Sequence, residues 1–298
     1  MTSPRLRTLY APAVVESTRA LSPSVRLIRF RVVSGQEGTA ALALAGLPRI
    51  ALPDADWAHT GTPLEYAAGQ WVDLAVPGES RVGGFSLVSI PDAPAVLLAA
   101  IDTAPTGTFD LAVKRARTPA ALWAHSAEPG APCAVRVGGA FCIDKALRGG
   151  GGKNSWRVSH AVFVAGGVGI NPLYAMLLAL AAARALGDFH APRATLFYTA
   201  AKCDELLFRE ELAALASGPL AGALDLRLAV TRETLPPKGL LASGRVTSSQ
   251  IAAALVGGGG AANTAVVICG PPAMADAVAA TARTAGVAEN NVILERWW

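Results

Sequence analysis

The chain has 298 residues, more than one hydrophobic core usually organises, so two domains are expected. A hydrophobic share of 52% against 16% charged residues excludes intrinsic disorder, and a net charge of only +4 gives no footprint for nucleic acid as a main partner. Cys133, Cys142, Cys203 and Cys269 have no Cys-x-x-Cys or cluster spacing, and His59, His125, His160 and His190 lie far apart; no metal or iron–sulfur site is expected, and the compartment reads as reducing.

The first half is rich in short apolar or β-branched runs separated by Gly and Pro. Candidate strands are Val25–Val33, Trp71–Val76, Phe85–Ser89, Val96–Ile101, Phe109–Lys114 and Cys133–Val137. Many short strands with turn signals predict an antiparallel barrel or sandwich. A helix is expected over Ala120–Ser126, behind Pro119. Residues 34–66 are rich in Ala, Gly and Pro and read as an insertion between barrel strands. This domain is expected to span residues 1–148, with a glycine-rich linker over 149–157. The first residues, Met1–Val15, hold Arg5 and Arg7 and no acid, a composition compatible with the remnant of a mitochondrial presequence.

From 158 to 298 the rhythm changes. Strands over Ala161–Ala165, Ala194–Tyr198, Asp225–Val230, Ala265–Cys269 and Asn291–Glu295 alternate with helices over Pro172–Leu186, Asp204–Ala216, Thr247–Leu255 and Pro272–Ala285. That alternation predicts a doubly wound parallel α/β sheet. No Asp, Glu, Lys or Arg occurs between Arg157 and Arg184, so a hydropathy window would flag a membrane span. Glycines, Asn171 and Pro172 interrupt the run, and a buried parallel strand followed by a buried helix explains the same apolarity. No integral membrane span is expected.

The chemistry concentrates where strands break. Phe163–Pro172 runs from an apolar strand through Gly166, Gly167 and Gly169 into a helix with an early proline. Glycine lets the backbone turn sharply and approach a ligand, and the N–H groups at a helix start face a phosphate well. Gly169 is expected to lie where the diphosphate approaches, so that Gly169→Val would block it. Ile268–Met274 forms a second strand-to-helix break. Two such breaks in one α/β domain point to a nicotinamide dinucleotide. The ordinary fingerprint has a third glycine and an acid after the second strand. Here Pro172 takes the place of that glycine, and Tyr198-Thr199 has no acid beside it. The ribose must be recognised by another logic. There is no Gly-x-Ser-x-Gly elbow and no Walker loop, so hydrolase and kinase readings have no support.

Three segments, Gly166–Pro172, Tyr198 with Asp204–Phe208, and Cys269–Met274, together resemble the ferredoxin–NADP reductase superfamily. Within it, Ala68–Leu74, Val82–Ser86, Pro119–Trp123 and Glu295–Trp298 are similar to the oxidoreductase NAD-binding domain-containing protein family. The resemblance implies a flavin-binding barrel, holding FAD rather than FMN, ahead of an NAD(P)-binding domain. Phe85 and Ser86 match the aromatic and hydroxyl positions of the flavin segment, while Gly83 stands at its arginine and Ala121 at a second hydroxyl. Arg81 and Lys114 are the candidate replacements. The diphosphate of NAD(P)H is implied on Gly166, Gly167, Val168, Gly169, Ile170, Asn171 and Pro172. Cys269 falls beside the nicotinamide C4, with Gly270, Pro271 and Met274 shaping its turn. Glu295 is the implied terminal acid, and Trp297 or Trp298 the aromatic over the flavin. Thr231 and Arg232 resemble a 2′-phosphate grip, but Ala201 replaces a second cation and Lys202 is one residue late, so NAD against NADP stays open, with the family favouring NAD.

The implied function is a flavin-dependent NAD(P)H oxidoreductase. Hydride passes from nicotinamide to flavin beside the catalytic Ser86, Cys269 and Glu295. Electrons then go to a separate acceptor, a protein or a small molecule. The alternative is a non-catalytic nucleotide-binding or assembly protein with a degenerate flavin site. The resemblance implies a mitochondrial location, with the cytoplasm as the alternative.

Overall fold

The computed structural model describes residues 10–33, 64–148, 156–233 and 241–297. The expectations placed on residues 1–9, 34–63, 149–155 and Trp298 lie outside the described residues. The chain divides into two units. The first holds the described residues up to Ala93 together with Thr103–Ala140; the second holds Pro94–Asp102 and the described residues from Phe141 onward. The expected domain boundary at residue 148 therefore differs from the division seen here, because 94–102 and 141–148 pack with the second unit.

The first unit is an antiparallel barrel. Its strands are β1 (Ala11–Ala20), β2 (Val25–Val32), β3 (Trp71–Ala75), β4 (Gly83–Ser86), β5 (Thr108–Lys114) and β6 (Pro132–Gly138). They are ordered β4-β3-β6-β1-β2-β5, and a bridge from Leu87 to Leu111 joins the two edges. Joining the edges removes the unpaired N–H and C=O rows that an open sheet would present. Inward side chains, among them Ile28, Phe30, Val72, Leu74, Leu87, Phe109, Leu111 and Val135, fill the interior. Phe30 and Phe109 stack at 5.1 Å across the β2–β5 pair. On the same pair, Arg29 donates two 2.9 Å hydrogen bonds to the Asp110 carboxylate, which matches a buried anion with a planar fork.

One expected strand is a helix. Val96–Ile101 was assigned to the barrel by its apolar run, but Ala95–Ala100 forms α1, started by Pro94. Only Leu97 of this helix is buried. A short apolar run cannot by itself distinguish strand from helix, and Ala and Leu are strong helix formers. The second helix, α2 (Pro119–Ser126), lies where it was expected and buries Ala120, Ala121 and Ala124. β1 carries Pro12 and a bulge between Val15 and Ser17, which hide its alternation in the sequence.

The second unit is a parallel sheet with helices. After α3 (Ile143–Leu147) come β7 (His160–Gly166), α4 (Ile170–Ala185), β8 (Arg193–Ala200), α5 (Arg209–Ser217) and β9 (Leu224–Val230). Then follow β10 (Leu241–Ser243), α6 (Ser248–Gly257), β11 (Thr264–Cys269), α7 (Pro272–Thr284) and β12 (Val292–Glu295). The order is β10-β9-β8-β7-β11-β12, with every neighbouring pair parallel. The chain winds outward from β7 in one direction and from β11 in the other. That reversal leaves a crevice beyond the carboxyl ends of β7 and β11, the place where open α/β sheets bind ligands.

All seven residues of β7 are buried, as are 11 of the 16 in α4. A helix apolar on all sides is an interior helix or a membrane span. Here 72% of an 18-residue stretch within Gly167–Ala185 is buried inside the fold, which accounts for the apolar run. The helix expected from Asp204 begins instead at Arg209. Residues 203–205 form a single 3-10 turn, and Phe208, in the left-handed region at φ 57°, turns its ring onto Tyr174 at 4.3 Å. Tyr198 fixes this connection, since its hydroxyl accepts from Leu207 N at 2.9 Å and donates to Glu205 O at 3.3 Å.

Candidate functional site

Within the second unit the structure brings Gly166, Gly167, Gly169, Cys269, Gly270, Pro271, Met274 and Glu295 together at the crevice. β7 ends at Gly166, a 3-10 turn covers Gly167–Gly169, and α4 begins at Ile170. The Ile170 amide closes the 3-10 turn onto Gly167 O and Val168 O, and Gly167 and Val168 lie ahead of it at the positive end of the helix dipole, where an anion is favoured.

The glycines serve different ends. Gly167 has φ +57°, and a Cβ there would meet nothing within 4 Å. It is glycine for its conformation, and the space in front of it is open. Gly169 has φ −62° and ψ −10°, an ordinary helical conformation. A Cβ on it would lie 2.2 Å from the Cys269 carbonyl oxygen and 2.5 Å from the Cys269 carbonyl carbon. It is glycine because the second turn rests on it. A side chain at Gly169 would therefore meet the Cys269–Gly270 backbone, whereas one at Gly167 would enter open space. Gly166 is likewise covered, with Pro271 Cδ 2.6 Å and Met274 Sδ 3.0 Å from its missing Cβ.

Gly167 and Val168 are partly exposed, while Ile170, Asn171 and Pro172 are buried and shape the turn from inside. This cradle fits a nicotinamide dinucleotide: a bare, left-handed backbone residue and an open face at a helix start, set at a strand-order reversal.

Cys269 ends β11 and is 1% exposed. It lies in register with Ala165 of β7 and Glu295 of β12. Burial pushes its thiol pKa well up, and the nearby Glu295 charge pushes it the same way. It stays a neutral thiol, a small weak donor and not a nucleophile. Glu295 ends β12. Burial raises its carboxyl pKa to about 7, against a hydrogen bond from the Trp297 side chain that works to lower it. The indole N–H is the only donor that side chain has. Glu295 Oε2 is buried and meets no hydrogen-bond partner among the described residues. The group thus titrates in the neutral range. Arg296 forms an ion pair with Asp276 of α7, which ties down the segment carrying Trp297.

Thr231 and Arg232 sit at the exit of β9. The Thr231 hydroxyl donates to Ala200 O at 3.3 Å, and the Arg232 side chain is exposed. Sequence reasoning missed their neighbour. Glu233 Oε2 accepts from Cys203 N at 2.9 Å, which holds a carboxylate at the exits of β8 and β9. The acid absent after β8 arrives from the next strand, and spacing alone does not reveal that.

The barrel unit has its own candidate groups. Ser86 is buried on β4 and Phe85 half-buried beside it. A Cβ on Gly83 would stand 2.6 Å from Ala120 Cβ and 2.7 Å from Phe85 Cε2. A side chain at Gly83 would therefore run into Ala120 and the Phe85 ring. Ala121 is 1% exposed and belongs to the barrel core. Arg81 and Lys114 are exposed. The aromatic and hydroxyl fit the ring end of a flavin. Arg115 and Arg117, which follow Lys114 ahead of α2, are exposed as well.

A family model described as an oxidoreductase NAD-binding domain matches residues 163–280. Oxidoreductase NAD-binding domain-containing protein 1 of Xenopus tropicalis is 32% identical over 243 residues, covering 78% of this chain and 70% of its own. Among solved structures, the cytochrome b5 reductase domain of Ulva prolifera nitrate reductase aligns with a TM-score of 0.67 at 18% identity, over 97% of this chain and 98% of its own. A ferredoxin NADP+ reductase from Neisseria gonorrhoeae with bound FAD and NADP aligns with a TM-score of 0.64 at 14% identity, over 96% and 98%. At these identities the structural likeness establishes the two-domain reductase fold.

Proposed function

The chain belongs to the oxidoreductase NAD-binding domain-containing protein family, and from that premise we propose that it is a flavin-dependent NAD(P)H oxidoreductase serving a separate electron acceptor. The observation that carries this reading is Gly167, whose left-handed backbone and open face lie at the start of α4. There the dinucleotide diphosphate receives the amides of Gly167 and Val168. The nicotinamide end lies against the Cys269–Gly270 turn, where the neutral thiol gives a close, uncharged wall. Glu295, its carboxyl raised to about 7 by burial, lies at the edge of the same turn. Trp297 donates to that carboxyl and covers the outer side.

In the barrel, Phe85 would flank a flavin ring and Ser86 would donate to it, with Arg81 and Lys114 reaching the phosphate end. A flavin bound there supplies the two-electron acceptor for the nicotinamide hydride; orientation and electrostatics come from the protein. Glu233 favours NAD over NADP, since a carboxylate at that edge accepts from a ribose 2′-hydroxyl and repels a 2′-phosphate.

A second reading is favoured by Gly83 and Ala121, whose surroundings are closed to a diphosphate. On it the chain binds a nicotinamide nucleotide without performing redox chemistry. One anaerobic titration separates the two. The enzyme reading expects the chain with FAD to show flavin bands that NADH bleaches, and that NADPH bleaches only at higher concentration. A chain that binds NADH but leaves added FAD unbound and unreduced supports the second reading and overturns the first.

A further inference from the structure

We infer that Gly169 is a positioning residue for the nicotinamide end of the site, acting through backbone contact with Cys269 and Gly270. This rests on the nicotinamide-dinucleotide reading of the crevice. At Gly169 the two strand-to-helix turns meet through peptide groups, while the Pro271 and Met274 side chains cover Gly166 beside it. The missing Cβ of Gly169 would stand 2.2 Å from Cys269 O, 2.5 Å from Cys269 C and 2.9 Å from Gly270 N. The missing Cβ of Gly270 would stand 2.9 Å from Gly166 N and 3.0 Å from Gly166 Cα. The turn beneath the diphosphate and the turn carrying the thiol therefore form one interlocked piece. Peptide groups hold it rigidly, because they have no rotamers through which to give way.

Gly169 is suited to a clean test because its backbone is ordinary, at φ −62° and ψ −10°. Alanine adopts that conformation without strain, so the whole effect of Gly169→Ala comes from the added methyl. To accept it, the Cys269–Gly270 peptide must withdraw by on the order of 1 Å before the contact becomes a normal van der Waals one. The added methyl meets the Cys269–Gly270 peptide and not the open face of Gly167. A displacement of about that size at a reacting centre can cost roughly 100-fold in rate. Gly169→Ala should therefore separate the two ends of the ligand: the diphosphate end keeps its amides, and the nicotinamide end loses its wall.

The probes are ADP-ribose, which has the diphosphate but no nicotinamide, and NADH. In the full chain, Gly169→Ala should bind ADP-ribose within about twofold of wild type and NADH at least about tenfold more weakly. The fluorescence change of NADH on binding should shrink with it. Gly270→Ala presses on Gly166 across the same pair of turns and is eased by movement of the Met274 methyl, 2.5 Å from the added Cβ. It should give a smaller split in the same direction, and it decides alone if Gly169→Ala shows no cooperative thermal transition. Parallel loss of both ligands, or retention of both, overturns the inference. A wild-type chain that binds neither ligand overturns the nucleotide reading itself.

Discussion

Gly167→Val should abolish nicotinamide-dinucleotide binding, lowering affinity at least about 100-fold, close to 3 kcal/mol. Two effects act together. The residue sits at φ +57°, where a side chain costs about 1–2 kcal/mol and a β-branched one is a genuine outlier. Relief of that strain rotates the turn and takes its amides away from the diphosphate. If the turn holds instead, the branched side chain projects into the open space in front of it, where the ligand lies. Gly167→Ala carries the backbone cost with a smaller obstruction and should fall between wild type and valine. Fluorescence titration with NADH checks the series. Near-equal affinities for all three proteins would remove the diphosphate from this turn.

Glu295→Gln should flatten the dependence of stability on pH between about 4.5 and 7. The folded carboxyl titrates near 7, above its ordinary value of 4.5, because burial disfavours the charge. In that interval the folded chain binds a proton that the unfolded chain has released, so folding is favoured more at the acid end. The contribution is whole below the unfolded value and disappears as pH rises through the folded one. A shift of this size corresponds to on the order of 1–3 kcal/mol once the solvent still reaching the carboxyl is discounted. Glutamine carries no titrating charge and removes the slope. Thermal unfolding across a pH series compares the two proteins. Identical slopes in wild type and variant would place the titration elsewhere.

Much of this architecture could be read in the amino acids. The strand–helix alternation after residue 158 is strong because the central strands β7 and β11 are buried along their whole length and most connections carry Gly or Pro. The two breaks at Gly166 and Cys269 were visible for the same reason. What could not be read was the direction in which each glycine faces. Gly167 and Gly169 are two residues apart in one motif, yet one is left-handed and open and the other helical and covered by Cys269. Only the neighbouring turn distinguishes them, and it comes from about a hundred residues later in the chain. Val96–Ile101 failed differently, because its apolar run has no alternation to choose between strand and helix. Glu233 escaped because its partner, the Cys203 amide, is brought to it by the pairing of β8 with β9. At Gly83 the sequence shows a missing arginine, whereas the structure shows that a side chain there would run into Ala120 and the Phe85 ring.

The most direct measurement is a crystal structure of the chain grown with NAD. The diphosphate should lie within hydrogen-bonding distance of the Gly167 and Val168 amides, with the nicotinamide against the Cys269–Gly270 turn. Saturating NAD bound anywhere other than that crevice would contradict the account.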